Sequence, residues 1–230
     1  MIFTTSWDDG NSLDIKLAKL MSEYEIKGTF YIPINWKFKT LKEKEIKKIE
    51  KKNEIGCHSF SHQTLTKLNT KEVFAEVSES KKILEQTIKS SVNCFAYPFG
   101  VYNDRIMLLL KQAGYIYSRT GRELENHLPK NLLLSGFSIS ATNRPRRLFI
   151  KHGIVSSLKN RLKWEAIAKE ILLSVNRKNG VFHLQGHSWE IEKDNKWEAL
   201  TELFEYASKL ENVKFMTNYE LAKYCLNKSQ

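Results

Sequence analysis

Short apolar runs alternate with amphipathic helical segments along all 230 residues. No other feature constrains the fold as tightly, because such a chain is a series of βα units around a parallel sheet. Strands are expected at residues 2–7, 28–32, 54–57, 92–96, 115–118, 136–140, 181–184 and 213–216. Helices are expected at 13–24, 41–51, 70–88, 104–113, 163–175, 196–210 and 218–226, with apolar residues recurring at helical spacing. Leu13, Leu17, Leu20 and Met21 mark the inward face of the first helix, Thr70 is the expected N-cap of the third, and Gly114 ends the fourth. No linker, low-complexity run or repeat divides the chain, so one α/β domain over residues 1–230 is expected. Its length suits a single barrel.

The residues able to do chemistry stand just past the expected strand ends. Trp7-Asp8-Asp9-Gly10 follows the first strand, and Cys57-His58-Ser59-Phe60-Ser61-His62 closes the third. Tyr97-Pro98-Phe99-Gly100 follows the fourth, and Gly186-His187-Ser188-Trp189-Glu190 lies beyond the strand at 181–184. In a parallel barrel those ends open on one face, where active sites are built. Four residues apart, His58 and His62 would share one face of a helical turn. One aspartate would complete a set of two histidines and a carboxylate, with coordination positions left for water and substrate. Alone, such a pair reads as readily as two polar loop residues beside a turn. The common placement at strand ends favours a metal site with a spare carboxylate base.

Charge narrows the partners. The formal net charge is +11, much of it scattered as alternating signs over residues 41–48. Between Glu125 and Glu165 there is no acidic residue, while Lys130, Arg144, Arg146, Arg147, Lys151, Lys159, Arg161 and Lys163 are basic. Such a stretch attracts phosphates, anionic glycans or a peripheral anionic membrane surface, or it is generic solubilising charge. No groove-reading helix or aromatic RNA signature supports a nucleic-acid partner. No apolar run reaches membrane-spanning length. Met1-Ile2-Phe3-Thr4-Thr5 runs into the aspartates without a cationic and then apolar leader, which gives a cytoplasmic expectation. Cys57, Cys94 and Cys225 are odd in number and widely spaced, as expected of buried small hydrophobes.

Ser6-Trp7-Asp8-Asp9-Gly10, His58-Ser59-Phe60-Ser61-His62, Tyr97-Pro98-Phe99-Gly100 and Leu184-Gln185-Gly186-His187 occur in an order that resembles the polysaccharide deacetylase superfamily, the NodB-type carbohydrate esterases. The resemblance runs from Ile2 to the Met216-Thr217-Asn218-Tyr219-Glu220-Leu221 ending. It implies a distorted (β/α) TIM-like barrel of seven parallel strands and a divalent metal ion, most often Zn2+. It also implies Asp8 as general base, Asp9, His58 and His62 as metal ligands, and His187 as the acid that protonates the departing amine. The backbone N–H of Phe99 would help polarise the substrate carbonyl, with Tyr97 beside it.

The chain departs from that pattern in places. Ala96 stands where the family has an arginine that pairs with the catalytic aspartate; Arg119 or Arg122 could supply the charge from another loop, or both are surface arginines. Ser6-Trp7 replaces the usual Thr-Phe. His183 reads as a core or supporting histidine, Trp189 as a wall for a sugar ring or an ordinary core tryptophan, and Glu190 as a partner orienting His187. The expected function is metal-dependent removal of an acetyl group from an amino-sugar glycan, or from a lipid- or phosphate-linked precursor. The alternatives are a related hydrolase of linear or cyclic amides and an inactive glycan- or anion-binding member.

Overall fold

The computed structural model describes residues 1–36, 40–141 and 164–228. Its strands are β1 (Ile2–Trp7), β2 (Thr29–Ile32), β3 (Glu54–Cys57), β4 (Cys94–Ala96), β5 (Tyr117–Arg119), β6 (Ile139–Ser140), β7 (Val181–Gly186) and β8 (Lys214–Phe215). Its helices are α1 (Asp14–Glu23), α2 (Glu43–Glu50), α3 (Thr70–Ile88), α4 (Asp104–Gln112), α5 (Trp164–Arg177), α6 (Ser188–Lys193), α7 (Trp197–Ser208) and α8 (Asn218–Lys228).

Seven parallel strands in the order β5-β4-β3-β2-β1-β7-β6 curl into a distorted half-barrel, the expected fold class. β1 is its axis. β7 pairs along the whole of one edge, while β2 takes Ser6 and Trp7 of the other edge and β8 takes Ile2 and Phe3. On the open side, Arg119 at the end of β5 bridges to Ser135, just ahead of β6.

The two-residue period of the strands sorts side chains into two populations. Phe3, Trp7, Phe30, Ile55, Phe95, Phe182 and Leu184 join the large core between sheet and helices. Ile2, Tyr31, Cys94, Ala96, Tyr117 and Val181 form a second cluster inside the curl, closed from below by Leu221, Ala222 and Cys225 of α8. Above this floor the inward positions turn polar. Asn218 donates to Thr4 Oγ1 (2.9 Å), and the His183 ring nitrogen Nε2 meets Ser6 Oγ (2.8 Å). The next inward position after Ser6 is Asp8. The strand pattern therefore delivers an apolar floor, a hydrogen-bonded middle and a reactive top. All three cysteines are buried, as expected.

Several element bounds differ from the sequence expectation. α3 is capped by Asn69, whose side chain accepts from the Glu72 amide while Glu72 accepts from the Asn69 amide, so Thr70 is the first helical residue. On α1, Leu17 and Met21 are buried, whereas Leu13 and Leu20 are half-buried. β7 extends two residues past the expected end, and β5 ends on Arg119, which becomes a strand residue. α6 was not expected; it follows β7 directly. The expected helix at 163–175 begins at Trp164, since residue 163 is outside the described part.

Candidate active site

The strand ends converge on one cavity of about 350 Å³, lined by Asp8, Asp9, His58, His62, Tyr97, Phe99, Arg119, His187 and Trp189, together with Trp36, Phe137 and Gln185. The expected base, acid and metal ligands, with Tyr97, Phe99, Arg119 and Trp189, are thus brought to one place, whereas Arg122, His183 and Glu190 do not line it.

Asp9, His58 and His62 present one oxygen and two nitrogens within 4.8 Å of one another. His62 Nε2 lies 3.1 Å from His58 Nε2 and 3.2 Å from Asp9 Oδ1, and His58 Nε2 is 3.8 Å from Asp9 Oδ1. Tetrahedral ligands held about 2.0–2.2 Å from zinc are separated by about 3.3–3.6 Å, within a few tenths of an ångström of these distances, so the three atoms fit around one ion. Two further observations support that fit. Asp9 Oδ1 is buried without a hydrogen bond. His58 Nδ1 lies 2.8 Å from the Ala96 carbonyl, to which its N–H donates, leaving the Nε2 lone pair for the ion. Burial pushes His58 down to about 4, so it is neutral and able to ligate. Burial opposes the charge on Asp9, but His62 beside it, the neighbouring His187 and His58 and the Trp189 indole N–H outweigh it and hold the carboxyl below its ordinary value.

No helix brings the two histidines together. Residues 58–62 form a loop in which Ser59 and His62 adopt left-handed backbone (φ 63° and 55°). The His62 amide donates to Ser59 Oγ (3.0 Å), and Glu76 of α3 accepts from the Phe60 and Ser61 amides (3.0 and 2.9 Å). Such backbone costs about 1–3 kcal/mol per residue and persists where surrounding bonds impose it. Glu76 imposes it here, and sequence spacing gave no sign of that role.

Asp8 has two unlike oxygens. Oδ2 is ion-paired to Arg119 and accepts from Gln185 Nε2 (3.1 Å), while Oδ1 is buried with no hydrogen bond. Burial works against its ionisation, yet the Arg119 guanidinium holds its pKa below the ordinary value. The missing arginine is thereby accounted for. Ala96 and Arg119 are register partners on adjacent parallel strands, so the small side chain of one leaves inward space for the large side chain of the other. Arg122 is not the substitute: it is half-exposed and pairs with Glu125 (2.7 Å). Arg119→Leu is expected to cost about 3–5 kcal/mol in a denaturant titration, because it leaves a buried carboxylate unpaired. Arg122→Leu should cost less than about 1 kcal/mol.

His187 follows β7 and caps α6. Its Nδ1 is 2.7 Å from Glu190 Oε2, and its Nε2 is 3.9 Å from both Asp8 Oδ2 and Asp9 Oδ2. Burial disfavours its charge, but the Glu190 hydrogen bond and the two aspartates raise it to about 8. His183 stays behind the cavity, held neutral at about 3 by burial and by Arg119.

Aromatic rings make the walls. Trp189 donates its indole N–H to Asp9 Oδ2 (3.0 Å), and Phe99, 62% exposed at the rim, sits edge-on to His62 with centroids 4.9 Å apart. Tyr97 lines the cavity while its hydroxyl donates to the Leu133 carbonyl (3.1 Å). Gly100 (φ +69°) passes so close to Gly121 that a Cβ would come within 2.5 Å of its backbone, which brings the Phe99 loop against the strand-end loop after β5. Trp36 and Gln185 were not singled out from the sequence. Trp36 packs tilted against His62, ring centroids 4.1 Å apart, and lies just past β2, where the strand-end rule would have found it. Gln185 sits two residues before His187 on the same inward face. Of the acid-free stretch, Lys130 is exposed, while Arg144, Arg146, Arg147, Lys151, Lys159, Arg161 and Lys163 lie outside the described residues. No described helix is long and apolar enough to cross a membrane.

Residues 2–118 match the family model for polysaccharide deacetylase. Chitin deacetylase 1 of Cryptococcus neoformans var. grubii is 29% identical over 116 residues, which are 49% of this chain and 24% of that protein. The peptidoglycan-N-acetylmuramic acid deacetylase PdaC of Bacillus subtilis is 24% identical over 112 residues, 48% of this chain and 24% of its own. The matched region spans about a quarter of each of these relatives. A solved polysaccharide deacetylase candidate from Mycobacterium smegmatis superimposes with a TM-score of 0.72 at 14% identity, covering 99% of this chain and 91% of that one, a likeness of fold. With a family model matched over half its length and the barrel to go with it, the chain belongs to the polysaccharide deacetylase family.

Proposed function

We propose that this chain is a metal-dependent N-deacetylase that hydrolyses the acetamido group of an amino-sugar glycan. The observation that carries this reading is the convergence of Asp9, His58 and His62 beside an ionised carboxylate with one unpartnered oxygen and a histidine raised to about 8. A divalent ion held by those three residues, zinc by the preference of a nitrogen-rich set, supplies Lewis acidity and lowers the pKa of a bound water. The remaining roles fall to the chain. Asp8 Oδ1 takes the proton from the attacking water, since Oδ2 is committed to Arg119 and Gln185. The Phe99 backbone N–H, at the cavity rim, steadies the developing oxyanion. His187, protonated through Glu190, gives its proton to the amine, which leaves poorly without one. Trp36, Phe99 and Trp189 offer ring faces and edges to a sugar. Chitin and peptidoglycan, named for the two curated relatives, set the substrate class to try first.

The test is acetate released from N-acetylated chito-oligosaccharides and peptidoglycan fragments by zinc-loaded protein, with and without chelator. Chelator-sensitive acetate supports the reading. Full metal occupancy with no acetate from any of them would overturn it in favour of another amide. A pH series adds a sharper check. The required form of His187 is the charged one, so the rate should fall as pH rises through about 8. Glu190→Gln removes the carboxylate that favours that charge, and the alkaline limb should move to lower pH by about one unit or more.

A further inference from the structure

Asp14 opens α1, five residues after Asp9, and has no place in the roles above. It is fully buried, and neither carboxylate oxygen makes a hydrogen bond. The hydroxyl of Ser188, also fully buried, lies close enough to act on that carboxyl but outside the geometry of a formed hydrogen bond. A fold has no need of such a pair; an apolar group at either position would avoid the desolvation cost.

Ser188 stands between the residues that matter. Its neighbour on one side is His187; on the other, Trp189 donates to Asp9, and Glu190 holds His187. α6, which carries them, is six residues long, too short to hold its position without tertiary anchors. Ile191, fully buried, is one anchor. Asp14 is tied in turn to the base loop: its amide donates to the Asn11 carbonyl (2.9 Å), and Asn11 Oδ1 accepts from the Leu13 amide (3.0 Å).

We propose that Asp14 is a positioning residue: its carboxyl group engages Ser188 and so couples the loop carrying Asp8 and Asp9 to the helix carrying His187, Trp189 and Glu190. The coupling sets the base and the acid relative to one another, a separation to which the rate is sensitive. Burial raises the Asp14 carboxyl to about 8 although the Ser188 hydroxyl works the other way, so the group is mostly neutral at neutral pH and able to share a hydrogen bond with Ser188 Oγ. A neutral amide can take its place.

The inference rests on the deacetylase reading for its kinetic arm, and a spectroscopic arm stands apart from it. Asp14→Ala and Ser188→Ala are each expected to lower kcat by about 10- to 100-fold with KM and bound zinc unchanged. The double variant should be no slower than the slower single one, and Asp14→Asn should recover wild-type kcat to within about threefold. In 15N spectra, the Trp189 indole N–H resonance should move in Asp14→Ala and in Ser188→Ala and return in Asp14→Asn. An unmoved resonance in Ser188→Ala, or losses that multiply in the double variant, overturns the proposal. If Asp14→Ala does not fold, Ser188→Ala and Asp14→Asn decide it through the same resonance. If the wild type releases no acetate, the functional reading fails, and the indole shifts still decide the coupling.

Discussion

Asp8→Asn should bind zinc as the wild type does and lose about 10²- to 10⁴-fold in kcat, the range attributed to a general base. The geometry explains why so small a change is so damaging. Arg119 and Gln185 both donate to Oδ2, so the amide of an asparagine must turn its oxygen toward them. Its NH2 group then occupies the position of Oδ1, the oxygen left without a hydrogen bond, and it cannot accept a proton. The check is initial rates of acetate release beside metal content by atomic absorption. An Asp8→Asn protein with wild-type kcat would remove Asp8 from the reaction.

Loss of a ligand should act at an earlier stage. Asp9→Ala and His58→Ala are each expected to abolish stoichiometric zinc, and with it both turnover and the stabilisation that zinc gives. An ion at 100 times its dissociation constant adds about 2.7 kcal/mol to the folded state, so wild-type Tm should rise on zinc addition while that of the variants stays level. In His58→Ala the Ala96 carbonyl also loses its donor, which separates this variant from Asp9→Ala by a lower metal-free stability. Full zinc occupancy in both His58→Ala and His62→Ala would sink the ligand assignment.

Much of the site was legible because β strands and strand-end loops are local. A period of two places Ser6 and Asp8 on one face, and a short apolar run places His58 and His187 at its end. Those facts need no knowledge of neighbours. The inactive-member reading drew its support from Ala96, and it loses that support because Arg119 restores the charge. The choice between Arg119 and Arg122 was not legible. It depends on the register of β4 against β5, which puts Arg119 directly beside Ala96 and leaves Arg122 in a loop outside. The turn that brings His62 to His58 was not legible either, since its strained backbone is held by Glu76, which reaches it from α3.

The sequence by itself determined the βα alternation, the floor of apolar residues, and which side chains reach the strand ends. These follow from hydrophobic periodicity and the fixed geometry of an extended chain. Only the tertiary structure decided which oxygen of Asp8 is free, which arginine neutralises it, that Trp36 and Gln185 join the cavity, and that Asp14 meets Ser188. Each of those contacts joins segments distant in the chain or turns on where a side chain points. Their partners are set by strand register and helix packing, which no local pattern encodes.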